Sequence, residues 1–182
     1  MRIITGEAKG RRLVAPDTLD TRPVTDRARE AVFSMIGSSV VDASVLDLYA
    51  GSGSFGLEAL SRGAGSVTFV ENGHRALEAL RRNIRAVGLG GTVVTSKVGD
   101  FLASAGAGFD LVFVDPPWAM PAPDLASELV AVDRLVAAQG KVILSRRHSD
   151  DVPESPENWR VATDRRYGDT RILMYEKETE PQ

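Results

Sequence analysis

The chain has 182 residues, 43% of them hydrophobic and 26% charged, which suits one soluble domain with a sizeable core and leaves little room for a second. It has no cysteine and only His74 and His148, so disulfides and thiolate zinc sites are excluded and no metal is expected. No apolar run approaches the roughly 18 residues of a membrane span, so a cytoplasmic monomer without membrane contact is expected, and a net charge of −3 does not advertise nucleic-acid binding.

The charge is unevenly spread. Arg2, Lys9, Arg11 and Arg12 stand against Glu7 alone in the first twelve residues, while Glu176, Glu178 and Glu180 dominate the tail. Three regions are expected: residues 1–23, a small β-hairpin around "EAKG" with a Pro-containing loop; residues 24–177, the main domain; and residues 178–182, a frayed acidic tail. "VTDRAREAVFSMI" reads as a helix capped by Thr25 or Asp26, with Ala28, Val32, Phe33 and Ile36 on one face.

From Ser44 short apolar runs alternate with helical stretches. "SVLDLYA", "SVTFVE", "TVVTSKV", "FDLVFVD" and "KVILSRR" read as strands. "FGLEALSRG", "GHRALEALRRNIRAVG" and "APDLASELVAVDRLVAAQG" read as helices stopped by glycine. "NWRVATDRRY" and "DTRILMYEK" follow as a hairpin turning at Gly168-Asp169. Strands separated by helices imply right-handed crossovers and a parallel sheet, and the closing hairpin adds one antiparallel strand. The fold class is α/β, an open doubly wound sheet that binds ligands at the carboxyl ends of its strands.

The first such end reads "DLYAGSGSFGLEAL". Gly51, Gly53 and Gly56 have G-x-G-x-x-G spacing and feed a helix N-terminus, where a backbone can approach a ligand closely. Glu71 closes the next strand and can accept hydrogen bonds from ribose hydroxyls. A dinucleotide and S-adenosylmethionine both fit this pattern. Asp47 would repel a pyrophosphate and attract an ammonium or sulfonium, although a water-bound aspartate would look the same. After the third strand, Asp100 can accept from an adenine amino group and Phe101 can flank its ring; a helix cap and a core phenylalanine read equally well.

The fourth strand ends in Asp115, Pro116, Pro117 and Trp118. The prolines fix the backbone and carry no N–H, so carboxylate and main-chain oxygens form a rigid cluster of acceptors. Trp118 adds a flat stacking surface. Acceptors beside a stacking face suit the exocyclic amine of a base, whose lone pair they free and aim at an electrophile. A helical base would have to leave its stack to reach them. Hydride transfer needs no such corner, so a dehydrogenase leaves it unexplained. A DNA amino-methyltransferase would need a target-recognition domain for which there is no room, and a non-catalytic RNA-binding module would not need the corner intact.

"DPPW" with "LDLYAGSGSFGLEA" resembles the class I S-adenosylmethionine-dependent methyltransferases that act on exocyclic amines. "MRIITGEAKGRRLVAP" and "TRPVTDRAREAVFSMI" resemble the opening of the RsmD family, the bacterial 16S rRNA guanine-N2 methyltransferases, over residues 1–177. The resemblance implies a Rossmann-like seven-stranded sheet of order 3-2-1-4-5-7-6. It implies S-adenosylmethionine held by Asp47, Tyr49, Ala50, Gly51, Ser52, Gly53, Phe55, Gly56, Glu71, Asn72, Asp100 and Phe101. It implies catalysis at Asp115, Pro116, Pro117 and Trp118, with Trp118 standing where Tyr or Phe is usual. Arg22, Thr25, Asp26 and Arg29 would close over cofactor and target, and Arg2, Lys9, Arg11 and Arg12 would touch RNA. The implied activity is methyl transfer to a guanine N2 in small-subunit rRNA, in an assembled particle; an amino-methyltransferase acting on another RNA or DNA base is the alternative.

Overall fold

A computed structural model of the protein describes residues 1–16 and 24–179. Arg22 and residues 180–182 of the expected tail lie outside them. The order of elements is α1 (Asp26–Ile36), a 3-10 turn (Gly37–Val40), β1 (Ser44–Leu48), α2 (Ser54–Ser61), β2 (Ser66–Glu71), α3 (His74–Val87) and β3 (Thr92–Thr95). It continues with α4 (Val98–Ser104), β4 (Phe109–Val114), α5 (Ala122–Asp133), β5 (Val136–Arg147), β6 (Trp159–Tyr167) and β7 (Thr170–Lys177).

The strands form one seven-stranded sheet of order β3-β2-β1-β4-β5-β7-β6. β7 runs antiparallel to both β5 and β6, and the remaining neighbours are parallel. This is the Rossmann-like order expected. The parallel strands are apolar on both faces because helices cover both. Val45, Leu111, Phe113 and Ile143 meet α1, α2 and α3 on one face. Leu46, Leu48, Val112, Val114 and Leu144 meet α4 and α5 on the other. Phe113 stacks on Phe55 of α2, centroids 4.8 Å apart and planes at 16°, a pair worth about 1 kcal/mol beyond its area.

α5 ends earlier than the glycine stop predicts. It stops at Asp133, and Val136 already pairs with Phe109 of β4. Lys177 explains the stop: its Nζ donates to the carbonyls of Asp133 and Val136, 2.7 and 3.2 Å away. Gln139, at φ 63°, makes the left-handed step ahead of Gly140.

The N-terminal hairpin is a single Arg2–Arg12 bridge rather than two strands. It is part of the main body, since Ile3, Ala8 and Leu13 are buried in the core under α1 and α2. Gly6, at φ 86°, lies so close to α2 that a Cβ there would stand 1.7 Å from the Ser61 carbonyl oxygen. Glu58 of α2 fastens this segment by accepting from the N–H groups of Ile4 and Thr5 at 2.7 and 3.1 Å.

Candidate active site

The carboxyl ends of β1, β2 and β4 surround a cleft of about 450 Å³. Tyr49, Ala50, Gly51 and Ser52 line it from the first turn, Glu71 and Asn72 from the second, and Asp115, Pro116, Pro117 and Trp118 from the corner after β4. The glycine loop and the acceptor corner, distant in sequence, therefore share one space.

Gly51 turns at φ 56°, and a Cβ there would find only the Tyr49 carbonyl oxygen, 3.9 Å away. Its backbone is thus open to a ligand. Gly53 and Gly56 serve packing instead. A Cβ on Gly53 would stand 2.5 Å from Leu80 Cδ1, and one on Gly56 would stand 2.3 Å from Phe69 Cε1. They let α2 sit close to the sheet and to α3. Phe55 is likewise buried in the core. These three shape the loop from behind and do not line the cleft.

Asp47 is also behind the loop. Its side chain is buried, and Oδ2 accepts from the Gly56 N–H at 2.9 Å, pinning the start of α2 to β1. Burial pushes its pKa well above the ordinary range; the Gly56 bond opposes this, and the charges of Asp115 and Glu71 add to it. Glu71 braces the front. Its Oε2 accepts from the Gly51 N–H at 2.8 Å, and its Oε1 from those of Asn72 and Gly73 at 2.9 and 2.7 Å. Of these carboxylates Glu71 lines the cleft together with Asp115, and negative charge there favours a cationic ligand over a pyrophosphate.

Asp115 ends the row. Burial pushes its carboxyl up to about 6, with the Ser145 hydroxyl acting in the opposite direction. Ser145 Oγ is buried and has no hydrogen bond of good geometry. After the prolines the chain turns sharply, and the Met120 N–H donates to the Pro117 carbonyl at 2.9 Å. That uses one of the expected acceptors and leaves the Pro116 carbonyl without a backbone hydrogen bond among the described residues. Arg146 locks the turn by donating to the Met120 carbonyl at 3.0 Å. Tyr49, at φ 58°, donates its hydroxyl to Glu128 of α5; burial and then that carboxylate raise its pKa.

Two other expectations place residues elsewhere. Asp100 is exposed in the first turn of α4, and Phe101 packs against the core beneath it, so neither lines the cleft. Arg29 is completely buried. It donates to the Arg2 carbonyl and to Asp26 Oδ1 (3.1 Å), and its Nε lies 4.0 Å from Glu58 Oε2. It anchors the N-terminal segment and has no surface with which to reach RNA. Thr25 caps α1, accepting from the Ala28 N–H at 3.2 Å. Arg2, Lys9, Arg11 and Arg12 are exposed, and Arg11 spends one nitrogen on the Ala86 carbonyl at the end of α3.

Sequence reasoning missed Asn83. Its buried amide accepts from the Val14 N–H at 2.8 Å and donates to the carbonyls of Val14 and Ser52, both at 2.9 Å. It ties the N-terminal segment to the cofactor-type loop. A lone asparagine on the inner face of an amphipathic helix is its only signal. Pro16, Val24, Ser54, His74 and Arg75 also line the cleft, the last two because α3 starts directly after Glu71.

Known proteins share this arrangement. The family model described as conserved hypothetical protein 95 matches residues 1–176. Ribosomal RNA small subunit methyltransferase D of Escherichia coli K12 is 34% identical over 181 residues, covering 99% of this chain and 91% of that one. Its namesake in Haemophilus influenzae is 30% identical, covering 97% and 93%. Among solved structures, a hypothetical protein of Thermus thermophilus superposes with a TM-score of 0.83 at 33% identity, covering 98% of this chain and 99% of that one. The chain belongs to the conserved hypothetical protein 95 family, the RsmD family of methyltransferases.

Proposed function

We propose that the protein transfers a methyl group from S-adenosylmethionine to the exocyclic N2 of a guanine in small-subunit (16S) ribosomal RNA, with an assembled or partly assembled particle as its substrate in the cytoplasm. The observation that carries this reading is the shared cleft: the open turn at Gly51 and the carboxylate of Glu71 face the same space as the Asp115–Trp118 corner. The relatives named for small-subunit ribosomal RNA supply the substrate class.

The residues present fit this cofactor. Glu71 keeps one unused lone pair, on Oε2, for a ribose hydroxyl, and the negative charge of Glu71 and Asp115 favours a sulfonium over a phosphate. S-adenosylmethionine, when bound, supplies an activated methyl group. The chain's own residues prepare the nucleophile. Asp115 and the Pro116 carbonyl accept both N–H bonds of the amine and hold its lone pair in line. Trp118 stacks on the flipped base. With its pKa near 6, Asp115 is mostly ionised at pH 7 and suited to take the proton the amine gives up.

The test is transfer of tritiated methyl from S-adenosylmethionine to small-subunit particles and to naked 16S rRNA, followed by nucleoside analysis. The expected product is N2-methylguanosine, formed faster on particles. Label in another nucleoside would reject guanine N2, and equal rates on the two substrates would reject the particle.

A further inference from the structure

Several arginines gather where β5 and the β6–β7 hairpin approach the corner, and most of them are occupied. Arg146 is buried on Met120 and on Asp150, 3.5 Å away. Arg171 grips Asp164 through two bonds of 2.8 and 2.6 Å. Arg166 donates to the Gly168 carbonyl. Arg147 and Arg165 differ: both are exposed, and neither has a carboxylate or hydrogen-bond partner among the described residues. What Arg147 does have is Trp118, its guanidinium carbon lying 4.6 Å from the ring centroid.

The register of the sheet places these groups together. Ser145 pairs with Ile172, and Ile172 with Arg165; Arg147 pairs with Thr170, and Thr170 with Tyr167. Alternate residues share a face, so Ser145, Arg147, Arg165 and Tyr167 lie on one side of the sheet. Val114 pairs with Leu144, so Asp115 continues the row of Ser145 on that same side. Across two inter-strand steps Arg165 stands roughly 10 Å from that row. The basic N-terminal segment packs along α2 and α3 toward their C-terminal ends, where the Glu7 N–H meets the Ser61 carbonyl and Arg11 meets the Ala86 carbonyl.

We propose that Arg147, with Arg165 beside it, clamps the backbone phosphates next to the target nucleotide on the β5–β6 side of the cleft. The inference rests on the RNA reading above. A guanidinium can stack on an aromatic face and still present a planar fork to a phosphate, which a lysine cannot do. Arg147 is therefore a positioning residue: it sets where the strand lies, while Asp115 and Trp118 meet the base.

The test compares wild type with Arg147→Ala, Arg147→Lys, the double variant Arg147→Ala/Arg165→Ala, and Arg82→Ala as a control on the exposed face of α3. Binding to a 16S rRNA transcript is measured by filter retention at several salt concentrations. KM and kcat are measured on small-subunit particles, and S-adenosylmethionine affinity is measured by calorimetry. Arg147→Ala should raise RNA Kd and KM about fivefold with kcat within twofold, and flatten the slope of log K against log salt by about 0.7–0.9. The double variant should roughly double both effects on the logarithmic scale, and cofactor affinity should not change in any variant. Arg147→Lys should restore the slope but only part of KM. A variant at Arg147 indistinguishable from Arg82→Ala overturns the clamp, and so does a fall in kcat with KM and salt slope intact, which would make Arg147 a mere prop for Trp118. Wild type that binds the transcript but methylates nothing would instead overturn the proposed activity, while the binding series still judges the clamp.

Discussion

Two carboxylates are withdrawn from bulk water in this protein, and they are treated in opposite ways. Glu58 is fully buried, and its oxygens are occupied: two backbone N–H groups of the N-terminal segment, Arg62 Nε at 2.7 Å and the nearby Arg29 guanidinium surround it. Asp115 is set into the wall of a cleft, and among the described residues its carboxylate has only the poorly placed hydroxyl of Ser145 as a side-chain partner. A buried charge must be compensated or its pKa moves. Glu58 is compensated by the fold and fastens it. Asp115 is left short of partners, and burial raises its pKa.

The comparison breaks most sharply at turnover. Asp115→Asn keeps the shape of the corner but swaps an acceptor oxygen for a donor. It should cut kcat at least about a hundredfold while leaving S-adenosylmethionine affinity within twofold. Turnover close to wild type in a radiometric assay would show that the carboxylate is not the acceptor.

At Glu58 the effect should fall on stability. Glu58→Ala strands Arg29 and two N–H groups inside the protein, and should cost about 3–5 kcal/mol in urea unfolding. Turnover per folded molecule should survive; a folded variant with lost turnover would mean that Glu58 also serves the chemistry.

The smallest effect is in pH. The folded pKa of Asp115, about 6, lies above its ordinary value of 3.8, so the folded chain binds the extra proton between those two values. Stability therefore falls as pH rises through that window, and the penalty stands in full at pH 7. Asp115→Asn removes it and should gain about 3 kcal/mol at pH 7 but little at pH 4. In the wild type kcat should drop as pH falls through about 6. An equal stability change at both pH values would remove Asp115 as the titrating group.

Much of this was legible beforehand because strand ends and turns are local. Apolar runs bounded by glycine located β1, β2, β4 and α3, and the acid-proline-proline-aromatic corner was found from its own four residues. What stayed hidden depends on direction rather than on order. Arginine is usually a surface residue, so nothing in "RARE" said that Arg29 points inward while Arg27 points out. Spacing identified Gly53 and Gly56 but could not say that Leu80 and Phe69, rather than a ligand, claim the space beside them. Asp133 looked like a mid-helix residue because Lys177, which ends that helix, lies in the last strand. Asn83 joins segments that only the tertiary structure brings together.

The position of β7 also bears on how the molecule is made. β7 follows the other six strands of the sheet in sequence, yet it lies between β5 and β6. A ribosome will have delivered every residue of the cleft wall before β7 emerges. Until then β5 has a bare edge, and β6 has no strand to pair with. An unpaired apolar edge is the feature by which nascent chains associate with one another. The corner around Arg146 and Arg147 can therefore settle only after β7 has emerged, and a nascent chain stalled before Thr170 should be the most prone to aggregate.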